Sequence, residues 1–97
     1  MPLFIKDPDA TLDYGVTLAS WLATGETVST ATWSVETGIT VATGFPNFTG
    51  GYYNNGTIMM VALQGGTAGF RYNCTVRFVT TAGRTDDRSF EILVQER

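Results

Sequence analysis

Two carboxylate pairs and one thiol are the side chains with reactive chemistry to offer: Asp7 with Asp9, Asp86 with Asp87, and Cys74. Paired carboxylates can ligate calcium through oxygen or divide acid and base roles between them. Their neighbours suggest simpler duties. Asp7 and Asp9 flank Pro8, where aspartate is an ordinary turn former. Asp86 and Asp87 lie between Arg84 and Arg88, so charge pairing along an exposed hairpin accounts for them. Cys74 has no setting that would depress its pKa and activate it. The sequence contains no histidine, which removes the commonest general base and the commonest zinc ligand together. We therefore expect no enzyme, no catalytic residue, no metal site and no cofactor.

Cys74 instead points to the element that holds it. Phe70, Tyr72, Cys74, Val76 and Phe78 alternate with Arg71, Asn73, Thr75 and Arg77, and only a half-buried strand uses that period. The stretch follows the glycine-rich turn Gly65 to Gly69 and places Tyr72 two residues before Cys74. This is the spacing of the tyrosine corner that opens strand F of immunoglobulin-type sandwiches. With Cys74 as the only cysteine, the bridge between sheets that usually accompanies that fold cannot form. A lone cysteine on an apolar strand face behaves as a small buried hydrophobe, and the pattern is compatible with a reducing compartment.

Other segments extend the same architecture. Turn signals recur every ten residues or so, as in a sandwich or barrel. Leu12 to Leu18 reads as a strand with Tyr14, Val16 and Leu18 on one face; Leu12, Val16 and Ala19 also fit helical spacing, but Gly15 and the neighbouring threonines lower helix propensity. After a turn at Thr24-Gly25-Glu26, Ala31, Trp33 and Val35 should face inward, with Trp33 in the place of the core tryptophan of strand C. Ile39 to Val41 is a short strand, and Thr57 to Leu63 should bury Met59, Val61 and Leu63. The last strand runs from Arg88 to Gln95 with Phe90, Ile92 and Val94 inward, joined to its predecessor by the hairpin connection Thr80 to Asp87. The expectation is an all-β, immunoglobulin-like Greek-key sandwich of about seven strands without a disulfide, spanning residues 1–97 as one domain, with residues 1–10 as an extended arm.

Composition narrows the partners. Ninety-seven residues suit one two-layer domain of this kind, which needs about 100. Charged residues make up 15% of the chain, so its surface must be largely threonine, serine, asparagine and glycine. A net charge of -3 with 6 scattered basic residues offers no patch for phosphate, which argues against nucleic acid. The longest apolar run, Ile58 to Leu63, is far short of the ~20 residues of a spanning helix, so no membrane partner is expected. The start, Met1 to Asp7, shows no basic leader and turns acidic early, so synthesis in the cytoplasm is expected.

What remains for function is contact surface. Phe45, Phe48, Tyr52 and Tyr53 stand among glycines and asparagines in a segment, Phe45 to Gly56, that reads as a long loop or weak edge strand. Tyrosine in such loops offers a large amphipathic contact at low entropic cost, and the same rings also suit a lid over the end of a core. Trp21 and Leu22 face the same choice. The candidates for a protein interface are Trp21, Phe48, Tyr52, Tyr53, Arg84 and Arg88.

Several blocks also occur together in one known family. Lys6-Asp7-Pro8-Asp9 with Leu12-Asp13-Tyr14, then Thr32-Trp33-Ser34-Val35, Gly65-Gly66-Thr67-Ala68-Gly69, and Ala82-Gly83-Arg84-Thr85-Asp86-Asp87-Arg88-Ser89-Phe90 appear in that order. In them the chain resembles a family of small tailed-bacteriophage and prophage virion proteins, described as fibre-tail adaptor or minor structural proteins. The chain departs from the family's pattern between Gly44 and Gly56, which is richer in aromatics. The resemblance implies a virion component, made in the bacterial cytoplasm, that docks onto tail, fibre or capsid proteins and is multimeric only on the particle. Two other functions compatible with the residues are a capsid decoration protein and a carbohydrate-binding module that stacks Trp21, Tyr52 or Tyr53 on sugar rings.

Overall fold

The period-two segments form eight strands in a computed structural model that describes residues 3–96. Met1 and Pro2, at the start of the expected arm, and Arg97 lie outside the described residues. The strands are β1 (Leu3–Lys6), β2 (Leu12–Thr17), β3 (Val28–Val35), β4 (Ile39–Val41), β5 (Tyr52–Asn54), β6 (Ile58–Gly65), β7 (Arg71–Thr80) and β8 (Thr85–Val94). One sheet has the order β1-β8-β7-β3, with β1 parallel to β8 and the other pairs antiparallel. In the second, β6 pairs with β2 on one side and with both β4 and β5 on the other. This is an immunoglobulin-like sandwich in which β3, β7 and β8 stand for strands C, F and G, and β2 and β6 for B and E. Segment Leu12 to Thr17 is a strand and not a helix, in keeping with the low helix propensity of Gly15 and the neighbouring threonines.

Alternation sends one face of each long strand to the core. Tyr72, Cys74, Val76 and Phe78 of β7 and Phe90, Ile92 and Val94 of β8 meet Tyr14 of β2 and Met59, Val61 and Leu63 of β6, all buried. Phe90 is the joint between the sheets: its ring lies 5.4 Å from Phe4, 6.0 Å from Tyr14 and 5.8 Å from Trp33. Offset and edge-on ring pairs of this kind add to the area they bury. Trp33 is only half-buried, because β3 is an edge strand and one side of its indole lies at the margin of the core.

The tyrosine corner forms. The Thr67 N–H donates to Tyr72 Oη at 2.9 Å. The ring fits between two backbone segments that approach too closely for a side chain. A Cβ on Gly38 would stand 2.8 Å from Tyr72 Cε1, and one on Gly66 would stand 2.6 Å from Val94 Cγ2 and 3.4 Å from Tyr72 Cε2. Both glycines also have positive φ, at 112° and 96°, so they meet a steric and a conformational requirement together. Lys6, wholly buried at the end of β1, donates from Nζ to Gly65 O at 2.8 Å and Asp7 O at 2.9 Å, tying this strand to the same turn. Burial pushes its pKa down, partly opposed by Asp7 and Asp9.

Two segments differ from expectation. Phe70 precedes β7 and is 59% exposed, stacked on Tyr72 with ring centroids 6.5 Å apart. Tyr72 is the last ring of the core at this end, so the alternation continues one residue pair beyond what the opposing sheet covers. The final strand begins at Thr85, not Arg88, which makes Asp86 and Asp87 ladder residues opposite Phe78 and Arg77. The turn is closed tightly at Thr80, whose N–H donates to Arg84 O at 2.8 Å and whose carbonyl accepts from Gly83 N at 2.9 Å.

If Phe90 joins the sheets, Phe90→Ala should destabilise the chain by about 3–5 kcal/mol in equilibrium denaturation. Tyr72→Phe, which removes one hydrogen bond and leaves the ring, should cost about 1 kcal/mol. Equal losses for the two would contradict this division of roles.

Candidate functional site

The six residues singled out for contact fall into two groups. Trp21, Arg84 and Arg88 meet where the β2–β3 connection reaches the β7–β8 hairpin. Trp21 packs edge-on against Phe78, with centroids 5.4 Å apart, while the Arg84 guanidinium lies 3.8 Å over the indole and Arg88 lies 5.4 Å from it. Stacked guanidinium on indole is a favourable cation–π pairing.

Glu26 holds this group together. It is buried, and it receives a forked pair from Arg84: Nε to Oε2 at 2.9 Å and Nη2 to Oε1. Thr80 Oγ1 donates to Oε2, and the Ala23 N–H donates to Oε1 at 2.9 Å. Arg84 Nη2 also reaches Trp21 O at 3.3 Å. Hydrogen bonds from Arg84, then from Thr80 and Ala23, hold the Glu26 carboxyl at about 2, below its ordinary 4.5. Charge pairing within the hairpin takes a different form from that expected. Arg84 turns away to Glu26, Arg88 Nη1 takes Asp86 at 2.8 Å, and Asp87 pairs across the strands with Arg77 at 3.1 Å. Sequence reading missed Glu26, because it contacts Arg84 across 58 positions and stands in an ordinary turn.

Phe48, Tyr52 and Tyr53 lie on the other side of the sandwich edge, on and before β5. The chain between β4 and β5 leaves and rejoins β6 at one residue: Ala42 N donates to Ala62 O at 2.8 Å, and Ala62 N donates to Gly51 O at 2.9 Å. Gly51 has φ 90°, and a Cβ there would overlap Val41 and approach Ala42 O to 3.0 Å, so this neck closes only around glycine. Within the excursion Phe45 and Phe48 are half-buried with centroids 5.0 Å apart, and Phe48 stacks on Tyr53 at 5.7 Å. Tyr52 and Tyr53 are each 40% exposed. They point to opposite faces, since Tyr52 pairs with inward Val61 and Tyr53 with Met60. The segment thus combines a half-buried ring pair, Phe45 and Phe48, with two more exposed rings.

Between β3 and β5 runs an open groove of about 440 Å³, lined by Ser29, Thr30, Trp33, Asn47, Tyr52 and Asn54 among others. A notch of about 160 Å³ continues it between Trp33 and Tyr52. Among the described residues no Asp, Glu, Lys, Arg or Cys side chain contributes to either lining. The residues first considered for chemistry lie elsewhere. Asp7 accepts its own turn's Asp9 N–H at 2.8 Å, and burial pushes the Cys74 thiol up to about 11. Among the described residues no group of three or more His, Cys, Asp or Glu side chains is placed to hold a metal ion, and no helix is long and apolar enough to cross a membrane.

Residues 6–93, from the end of β1 to the penultimate residue of β8, match the family model of the podophage GP4 fiber-tail adaptor protein gp77. The chain belongs to this family. A comparison with curated proteins returned no match. The match to the fiber-tail adaptor family takes in both aromatic groups, the tyrosine corner and the Glu26–Arg84 contact, all within residues 6–93.

The Glu26 contact makes stability depend on acid. A carboxyl with a lowered folded pKa contributes stability that is fully present above its unfolded value, near 4.5, and is lost as pH falls through about 2. Unfolding free energy should therefore fall across that window. Glu26→Gln should be less stable at neutral pH and show a shallower acid slope, since it removes this group and leaves Asp86 unchanged. Parallel pH profiles for the two proteins would contradict the assignment.

Proposed function

We propose that the chain is a non-enzymatic structural component of a tailed-phage particle, a single immunoglobulin-like domain that docks onto tail or fibre proteins by surface complementarity. The family match over residues 6–93 is the observation that carries this reading, because that family is described as a fiber-tail adaptor. The geometry is in keeping with it. The groove and the excursion beside it present aromatic surface among uncharged polar groups, with no carboxylate, amine, guanidinium or thiol in the groove lining.

The two candidate groups are suited to different work. Trp21 and Arg84 are largely consumed by each other, Phe78 and Glu26, which fits a structural duty of locking two loops together. Tyr52 and Tyr53 carry more uncommitted surface, so we place the docking surface on the β5 side. On a ring or fibre base that repeats the same site, modest affinity per copy is multiplied by simultaneous engagement. The chain need assemble only there.

Changing Tyr52 and Tyr53 together to Ser should leave stability within about 1 kcal/mol of wild type, as expected for exposed positions, and lower incorporation into particles at least tenfold. Unchanged incorporation would move the interface elsewhere. In a reconstruction of particles from the encoding phage, density for this sandwich should lie at the tail–fibre junction. Density over the capsid lattice would replace the adaptor with a decoration protein.

A further inference from the structure

The least protected edge of the sandwich is β3. Exposed edges invite pairing with another chain, and proteins blunt them with short strands, charges, proline or inward-pointing lysine. Elsewhere such devices are present: β4 and β5 have 3 residues each, β2 carries Asp13 and Gly15, β1 has 4 residues and ends on buried Lys6, and the part of β8 beyond β1 carries Asp87. Strand β3 has 8 residues, Val28-Ser29-Thr30-Ala31-Thr32-Trp33-Ser34-Val35, with no charge and no proline.

The ladder shows which groups that edge presents. Glu36 N donates to Asn73 O at 3.2 Å, so this pair is a hydrogen-bonded one. Bonded and non-bonded pairs alternate in an antiparallel ladder. With the register Thr32↔Arg77 and Trp33↔Val76, the even-numbered residues of β3 therefore bond β7. The opposite ladder agrees: Thr80 and Phe70 bond Arg84 and Val94 of the β8 side, which commits the even residues of β7 to β8 and leaves its odd ones for β3. The N–H and C=O groups of Ala31, Trp33 and Val35 consequently face outward along the edge. Only the strand's first residue is covered there, where Val28 N donates to Gly56 O at 2.8 Å.

We propose that an extended, uncharged segment of a partner virion protein adds to this sheet as a strand beside β3, bonding the main chain of Ala31, Trp33 and Val35 and setting one apolar side chain into the notch between Trp33 and Tyr52. The proposal rests on the adaptor reading and specifies how the docking is done. Alternating donors and acceptors along an edge are matched by another extended main chain, the pairing used in strand addition. The uncharged lining of the groove excludes a charged occupant on desolvation grounds. A saccharide would use the rings but leave the edge's main-chain groups to chance partners.

Hydrogen exchange of the β3 peptide, compared between the free chain and purified particles, tests this. The amides of Ala31, Trp33 and Val35 should exchange at least tenfold more slowly in the particle. Ala31→Pro, which removes an outward N–H and no ladder bond, should fold and be lost from particles. If that variant fails to fold, the exchange measurement decides alone. A photo-cross-linker at Tyr52 should capture an uncharged stretch of another virion protein. Capture of β3 of a second copy, or of a host glycan, would overturn the proposal. So would unslowed exchange in a chain that is present in the particle, and the adaptor reading would then survive. Absence of the chain from particles would remove both.

Discussion

The contact on which the sandwich depends is the meeting of Phe90 with rings from three other strands. In an immunoglobulin domain with its bridge, a covalent link between strands B and F holds the sheets in register and a tryptophan packs on it. Here Cys74 occupies strand F without a thiol partner, and Tyr14 on β2, Phe4 on β1 and Trp33 on β3 converge on Phe90 instead. Dispersion and burial spread over several rings do the work of one bond, with no need for an oxidising compartment. The substitution also explains the place of β1. Its pairing with β8 delivers Phe4 to the cluster, and the buried Lys6 amine fastens its end to the β6–β7 turn.

A second constraint is electrostatic and local. Besides the main-chain bond from Thr81 N to Thr27 O at 2.8 Å, Glu26, Arg84 and Thr80 join the β2–β3 connection to the hairpin through forked and shared hydrogen bonds, covered by Trp21. Burying a carboxylate is tolerable only because each oxygen is supplied with donors. This arrangement fixes the loops at one end of the sandwich, while the aromatic excursion beside β5 is fixed through β6. The molecule therefore has one end organised by charge and one flank organised by rings, and of the two the flank keeps more aromatic surface exposed.

Much of this was legible in the chain because strands advertise themselves by period. The alternation in Tyr72 to Phe78, the Tyr72–Cys74 spacing and the turn glycines led to the right architecture, and the ordered blocks led to the right family. Phe70 was misplaced because periodicity reports the face of a residue and not where the opposing layer stops. The boundary of β8 was set three residues late because Asp86 and Asp87 look like turn residues, whereas Asp87 pairs across the ladder with Arg77 and Asp86 pairs along its own strand with Arg88. Glu26 and the outward-facing groups of β3 were out of reach for a different reason. They depend on which distant segments become neighbours, and no local pattern carries that. Tyr52 and Tyr53 were singled out as contact candidates, and it is the β5 ladder that turns these adjacent rings to opposite faces.

The neck at Ala62 separates the sandwich from the stretch it carries. Both ends of the excursion are fastened to one residue of a central strand, so whatever lies between them begins and finishes at the same place. The cost of closing such a segment grows only slowly with its length, and connections of this kind tolerate sequence change better than the elements they join. Evolution can thus rewrite the segment between Ala42 and Gly51 much as a tool bit is exchanged in a fixed chuck. On the docking reading proposed above, a phage lineage that acquires a different fibre refits its adaptor there while keeping the aromatic joint and the tyrosine corner intact.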